Sequence, residues 1–231
     1  MMFSNKFILF VLIFLCLRAV ATEQMDFAKD NQGIVLILNG PSSSGKTSIQ
    51  KALQKKADRL FLRIGIDTFF DALLPEPDIS RIQDERRLDQ VATNGEYIRG
   101  ITYEKDALGA PSIPLHIGPA GDRVMKGMHQ AIAGYAKSGN HLIVDYILYK
   151  PEYLDDLIRS LQGQKVYWIG IFAPLELIEE REKTRGTSPV GHARSHYHSC
   201  HQNVSYDLML NTAYATPDEL AEKILEFMQN F

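Results

Sequence analysis

An α/β layered fold, with helices on both faces of a parallel sheet, follows from three features of this 231-residue chain. Continuous apolar runs such as residues 33–40 (GIVLILNG) suit strands buried on both faces. After residue 33 these runs alternate with segments of helical spacing, the rhythm of an α/β domain. The first run also leads directly into GPSSSGKT, a glycine-rich loop standing between a strand and a helix.

In residues 49–57 (IQKALQKKA), Ile49, Ala52 and Leu53 recur at helical spacing. LFLRIGID (60–67) reads as a second strand, HLIVDYIL (141–148) as a third, KVYWIGIF (165–172) as a fourth and YDLMLNT (206–212) as a fifth. Helices are expected over 120–137, 151–161, 174–182 and 217–229. Thr216 as N-cap and Pro217 in the first turn open the last of them. Residues 73–119 break the rhythm with LLPEPDISR, QDERRLDQ and the turn-rich TNGEYIRGITYEKDALGAPSIPL. Long irregular segments inside compact domains are functional or disordered. The scattered Tyr97, Ile98, Ile101 and Tyr103 point to a substrate-covering segment over 73–118.

The length suits one domain, and 45% hydrophobic with 23% charged residues is ordinary for a globular chain. Residues 1–21 read as a signal peptide: Lys6, an apolar run over 7–17, then Ala19-Val20-Ala21. That run is too short to span a bilayer core of roughly 30 Å. Arg18, between the run and the cleavage site, departs from the pattern. Cleavage after Ala21 exports a domain of residues 22–231 with no stable membrane anchor. A retained leader or a true start at Met25 are the alternatives, and the latter leaves the protein cytoplasmic. The net charge is −3, and it becomes −5 once Lys6 and Arg18 leave with the leader. That balance argues against a nucleic-acid partner held by a basic face. Cys200 is the one cysteine after the leader, so no internal disulfide forms. Oligomeric state has no signature here.

GPSSSGKT (40–47) fits G-x-x-x-x-G-K-[ST] in full. Gly40 and Gly45 permit the backbone angles and close approach that a side chain blocks. The stretch between them, Pro41, Ser42, Ser43 and Ser44, turns amides inward as a nest for phosphate oxygens. The following helix adds its positive N-terminal end. Lys46 reaches the β- and γ-phosphates of a nucleotide, and the Thr47 hydroxyl ligates Mg²⁺. A glycine-rich turn without ligand is the alternative.

Ligands of open α/β sheets bind beyond the carboxyl ends of the strands. Asp67 closes the second strand and Asp145 the third. Asp145 is placed as the Mg²⁺ partner and Asp67 as a base facing an acceptor hydroxyl, although helix capping also favours aspartate there. Arg181 and Arg185, four apart, share a helix face if the helix continues that far. With Gly186, Pro189 and Gly191 they form a mobile arginine flap over 181–200 that closes on a triphosphate. The alternative is a solvated helix end whose arginines pair with Glu179, Glu180 and Glu182. His192, His196, His198 and His201 lack zinc spacing, so a polar flap or nucleotide-facing helix is expected there.

Together ILNGPSSSGKTSI, IGIDTFFDALLP, IGPAGDRVMKGMHQAIAGYAKSGNHLIVDYIL, WIGIFAPLELIEEREKTRG and HQNVSYDLMLNT resemble the chloramphenicol phosphotransferase-like group of P-loop kinases. The resemblance covers most of 34–212. It implies a three-layer P-loop NTPase fold of nucleoside-kinase type with a five-stranded parallel sheet. It also implies phosphoryl transfer from ATP, with Mg²⁺, to a hydroxylated small molecule. Asp67 falls on the family's acceptor-activating aspartate, Lys46 and Thr47 on its donor-phosphate and metal positions, and Arg181 and Arg185 on its flap arginines. Thr187-Ser188-Pro189 stands where the family carries an arginine, and 75–112 is longer than the family pattern. A sugar nucleotide or a nucleic-acid end as acceptor, or an exported nucleotide-binding effector without turnover, are the rival functions.

Overall fold

The structure, a computed structural model, describes residues 32–71, 79–81 and 97–230, with backbone only for 79–81. The leader, its cleavage site, Met25 and the QDERRLDQ piece lie outside the described residues. In chain order the first elements are β1 (Ile34–Asn39), α1 (Lys46–Lys56), β2 (Phe61–Gly65) and α2 (Ile66–Phe70). Five short strands follow: β3 (Ile79–Arg81), β4 (Arg99–Ile101), β5 (Glu104–Lys105), β6 (Pro111–Ser112) and β7 (Leu115–Ile117). Then come α3 (Pro119–Lys137), β8 (His141–Tyr146), α4 (Pro151–Ser160), β9 (Lys165–Phe172) and α5 (Leu175–Arg185). The chain closes with α6 (His192–His196), a 3₁₀ turn (Ser199–His201), β10 (Leu208–Asn211) and α7 (Pro217–Gln229).

The central sheet has five parallel strands in the order β2-β8-β1-β9-β10. Side chains alternate along β1, and this alternation divides the core. Val35 and Ile37 pack with Met125, Met128 and Ile132 of α3 and Leu157 of α4. Leu36 and Leu38 pack on the opposite face with Ile49 and Leu53 of α1 and Leu220 and Ile224 of α7. All are buried, each contributing about 1.5–3 kcal/mol by removal of apolar surface from water. The apolar runs are thus explained by helices on both faces. Thr216 caps α7, accepting from the Glu219 N–H while Glu219 accepts from the Thr216 N–H, as the sequence predicts.

Three boundaries differ from expectation. β2 stops at Gly65, so Asp67 lies in the first turn of α2 rather than at the strand end. The fourth-strand helix α5 runs on to Arg185, which puts both arginines on it. Within 97–118 the irregular segment is a narrow antiparallel ribbon, β4 against β7 and β5 against β6, with β3 beside β4. Strands of two or three residues are too short for a period to show in sequence. No helix of the described residues is long and apolar enough to cross a membrane.

Candidate active site

β1 ends at Asn39, which is fully buried and completely bonded. Its Nδ2 donates to the Cys200 carbonyl at 2.7 Å and to the Tyr206 hydroxyl at 2.6 Å, and its Oδ1 accepts from Leu148 N–H at 3.1 Å. The loop that follows is therefore anchored at its root. Gly45 at φ +100° turns it into α1, an angle that glycine adopts without strain. The Ser43 and Ser44 hydroxyls are buried in this loop without a hydrogen-bond partner. Unpartnered donors beside a helix N-terminus fit a bound phosphate.

Lys46 is buried; its Nζ donates to the Pro41 carbonyl at 2.8 Å and lies 3.6 Å from Asp145 Oδ1. Thr47 donates from Oγ1 to Asp145 Oδ2 at 2.6 Å. Register explains this meeting, because Asp145 of β8 sits beside Leu38 of β1, just before the loop. A hydroxyl and a carboxylate form an all-oxygen pair, the donor type that Mg²⁺ prefers. The residues present therefore fit both a nucleotide triphosphate and its metal ion.

Asp67 opens toward the same cleft, of about 1550 Å³. Its surroundings within the cleft raise the carboxyl above the usual carboxylate range, mostly by desolvation and then by the charges of Asp71 and Asp145. Arg99 and Lys46 oppose that rise. Arg99, nearly buried, pairs with Asp71 at 2.6 Å and lies 5.0 Å above the Phe70 ring. Ile101, Tyr103, Leu115, Ile147 and Tyr149 add an apolar and aromatic wall on this side. Of the described residues in 73–118, Arg99, Ile101, Tyr103 and Leu115 line the cleft.

Arg181 donates from Nη1 to Thr212 Oγ1 at 2.8 Å and from Nη2 to the Thr212 carbonyl at 3.0 Å. Arg185 donates from Nη2 to Ser42 Oγ and to Ser188 Oγ, each at 3.1 Å. The alternative pairing with helix glutamates is not what forms. Glu179 takes Arg194, and the fully buried Glu182 accepts the N–H groups of Gly191 and Ala193. The flap is accordingly a helix end and a short return, closed by α6.

His196 of α6 accepts the Ser42 N–H at Nε2, 3.0 Å away, so its ring is neutral. Burial, then the charges of His192 and Lys46, holds it well below the ordinary imidazole value. His201 stacks on Phe172 at 4.0 Å and shares a hydrogen bond of 2.7 Å between its Nδ1 and the Tyr206 hydroxyl. Among the described residues, no group of three His, Cys, Asp or Glu is placed to hold a metal. One of the four histidines thus faces the phosphate loop directly.

Ser42, Ser43, Gly45, Lys46, Thr47, Asp67, Asp145, Arg181 and Arg185 line one cleft, with Gly40, Pro41 and Ser44 buried behind it. His196 falls on the polar or nucleotide-facing stretch the sequence suggests, whereas sequence reasoning missed Asn39, Arg99 and Thr212. Thr212 ends an apolar strand as Asp67 and Asp145 were expected to, so strand-end position was the available signal.

Residues 33–229 match the protein family described as chloramphenicol phosphotransferase-like protein. Proteins of two Mycobacterium tuberculosis strains, provisionally named O-phosphotransferases, are 31% identical over 199 residues, covering 86% of this chain and 83% of theirs. A sugar kinase from Janibacter sp. HTCC2649 superposes with TM-score 0.54 at 18% identity, covering 86% of this chain and 95% of its own. A gluconokinase from Sinorhizobium meliloti 1021 gives 0.52 at 16% identity, covering 86% and 93%. These two likenesses extend to the fold. With the phosphate loop, the parallel sheet and the match over 33–229, the chain belongs to the chloramphenicol phosphotransferase-like family of P-loop kinase fold.

Proposed function

We propose that the protein transfers the γ-phosphoryl group of ATP to a hydroxyl of a small molecule, with Asp67 as the base. The observation that carries this reading is one cleft holding the phosphate loop, the Thr47–Asp145 pair and a carboxyl with a raised proton affinity. The triphosphate lies along residues 40–47, where the loop amides and the α1 N-terminus meet its charge. Lys46, Arg181 and Arg185 exchange their bonds to Pro41, Thr212 and Ser42 for phosphate oxygens. Thr47 and Asp145 would hold Mg²⁺, which would supply positive charge to the triphosphate when bound. Asp67 takes the proton of the acceptor hydroxyl as its oxygen bonds to the γ-phosphorus and the β–γ bridge breaks. Catalysis of this kind is mostly positioning and electrostatics.

Mass spectrometry of small hydroxylated compounds, chloramphenicol included, after incubation with the protein and Mg²⁺–ATP tests the reading. A gain of one phosphoryl group on an acceptor supports it. Nucleotide binding without any such gain across the panel points instead to a macromolecular acceptor or to binding without turnover.

A further inference from the structure

The acceptor cover and the arginine-bearing helix are joined by backbone and side chain alike. In the ribbon, residue pairs continue from Ile101–Leu115 to Glu104–Ser112 in one register, which sets Tyr103 opposite Ile113. The neighbouring Thr102 N–H reaches the Pro114 carbonyl. In antiparallel pairing the next pair is then not hydrogen-bonded, so the polar groups of Ile113 point outward from the ribbon edge. The return after α5 meets them there. Ile113 N–H donates to the Gly191 carbonyl at 3.0 Å, and His192 donates from Nδ1 to the Ile113 carbonyl at 3.1 Å. Gly191, at φ +103°, approaches so closely that a Cβ would stand 2.6 Å from the Pro111 carbonyl oxygen.

A second tie runs in parallel. Arg194 donates from Nε to Glu179 of α5 at 2.6 Å and from Nη1 to Asp106 of the hairpin tip at 2.8 Å. Glu182, between Arg181 and Arg185 on α5, holds the N–H groups of Gly191 and Ala193 at 2.8 Å each. The path from the nucleotide-side arginines to the cover is therefore continuous, through Glu182 and Gly191 to Ile113 and through Glu179 and Arg194 to Asp106. Arg99, Ile101 and Leu115, which line the acceptor side of the cleft, belong to the same ribbon.

We propose that Arg194 is a positioning residue that couples the two halves of the site: capture of a nucleotide by the α5 arginines sets the ribbon 99–117 over the acceptor half. This rests on the nucleotide-binding reading above. The nucleotide side and the acceptor side close as one body, so the donor organises the pocket before the acceptor arrives. Coupling of this kind is a free-energy link between sites carried by an element that both sites bias.

Hydrogen exchange of the full chain with and without Mg²⁺ and the non-hydrolysable analogue AMP-PNP tests the proposal. In the wild type, exchange of residues 40–47 and of 104–117 slows together, each about fivefold or more, the lower end of typical coupling. Asp106→Asn keeps the Oδ1 acceptor that holds the Leu108 and Ala110 N–H groups and removes the charge facing Arg194. In that variant, and in Arg194→Gln, protection of 40–47 remains and the nucleotide-dependent protection of 104–117 falls, because the tie through Gly191 and Ile113 alone then carries it. If the variants only lower Tm and keep that protection, Arg194 is structural and the coupling is refuted. Protection of 40–47 without any change at 104–117 in the wild type overturns it equally. Absence of protection at both segments refutes the nucleotide reading itself, and the proposal with it.

Discussion

Arg181 grips Thr212 through both its side-chain oxygen and its carbonyl, and Thr212 in turn donates from Oγ1 to the Ser44 carbonyl at 2.8 Å. One threonine at the end of β10 thus ties the α5 arginine to the phosphate loop. Thr212→Val keeps the shape, leaves Arg181 only the backbone carbonyl of the two acceptors and frees the Ser44 carbonyl. With the Ser44 carbonyl untied the phosphate loop loosens, and the Kd of Mg²⁺–AMP-PNP should rise about fivefold, the scale of one net hydrogen bond. Isothermal titration calorimetry measures it, and Thr212→Ser should stay near wild type.

The Thr47–Asp145 contact predicts the metal dependence. Asp145→Asn keeps a hydrogen-bond acceptor for Thr47 and removes the charge. The Mg²⁺ concentration for half-maximal nucleotide binding should rise about tenfold or more. A Mg²⁺ titration at fixed nucleotide concentration reads this directly, and an unchanged midpoint would remove Asp145 from the metal site.

Much of this architecture is legible in the sequence, for reasons that particular residues make plain. β1 and β8 are buried on both faces, so Val35 to Leu38 and Leu142 to Val144 appear as unbroken apolar runs. The phosphate loop is contiguous, and its glycines are needed where they stand. Asn39, His196 and Thr212 carry no comparable local signature. Ser42 meets His196 across 154 positions and Ser44 meets Thr212 across 168, and single polar side chains give no period. The ribbon over 99–117 was hidden differently: its strands are two or three residues long and are held by the flap as much as by one another.

Stability should fall on mild acidification. Burial lowers the proton affinity of His129, His141, His192 and His196 below the usual imidazole value, and that of His201 to about 4. The unfolded chain therefore binds more protons than the native one below about pH 6.5, so stability rises with pH through that range. Tm should be level near neutrality and drop progressively from about pH 6.5 toward 4. His196→Gln offers Ser42 a neutral acceptor and should flatten part of that slope. A Tm independent of pH across this window would contradict the neutral, buried histidines.

Cys200 is buried, and desolvation pushes its thiol up to about 12. Residues 22–231 should therefore react with a thiol reagent at pH 8 only after unfolding, and labelling followed by mass spectrometry checks it. Rapid native labelling would mean that the segment beneath the phosphate loop opens.

Asp67 bears the central claim. The most direct measurement is single-turnover phosphoryl transfer by wild type and Asp67→Asn, alongside AMP-PNP binding by both. The account predicts that the variant binds nucleotide within about twofold of wild type and loses at least about a hundredfold in transfer, the contribution typical of a positioned base. In the wild type, the acid limb of the rate should lie above the ordinary aspartate value of 3.8, because the carboxylate must be free to take the proton. Transfer at a near-normal rate in Asp67→Asn would contradict the account and place the base elsewhere in the cleft.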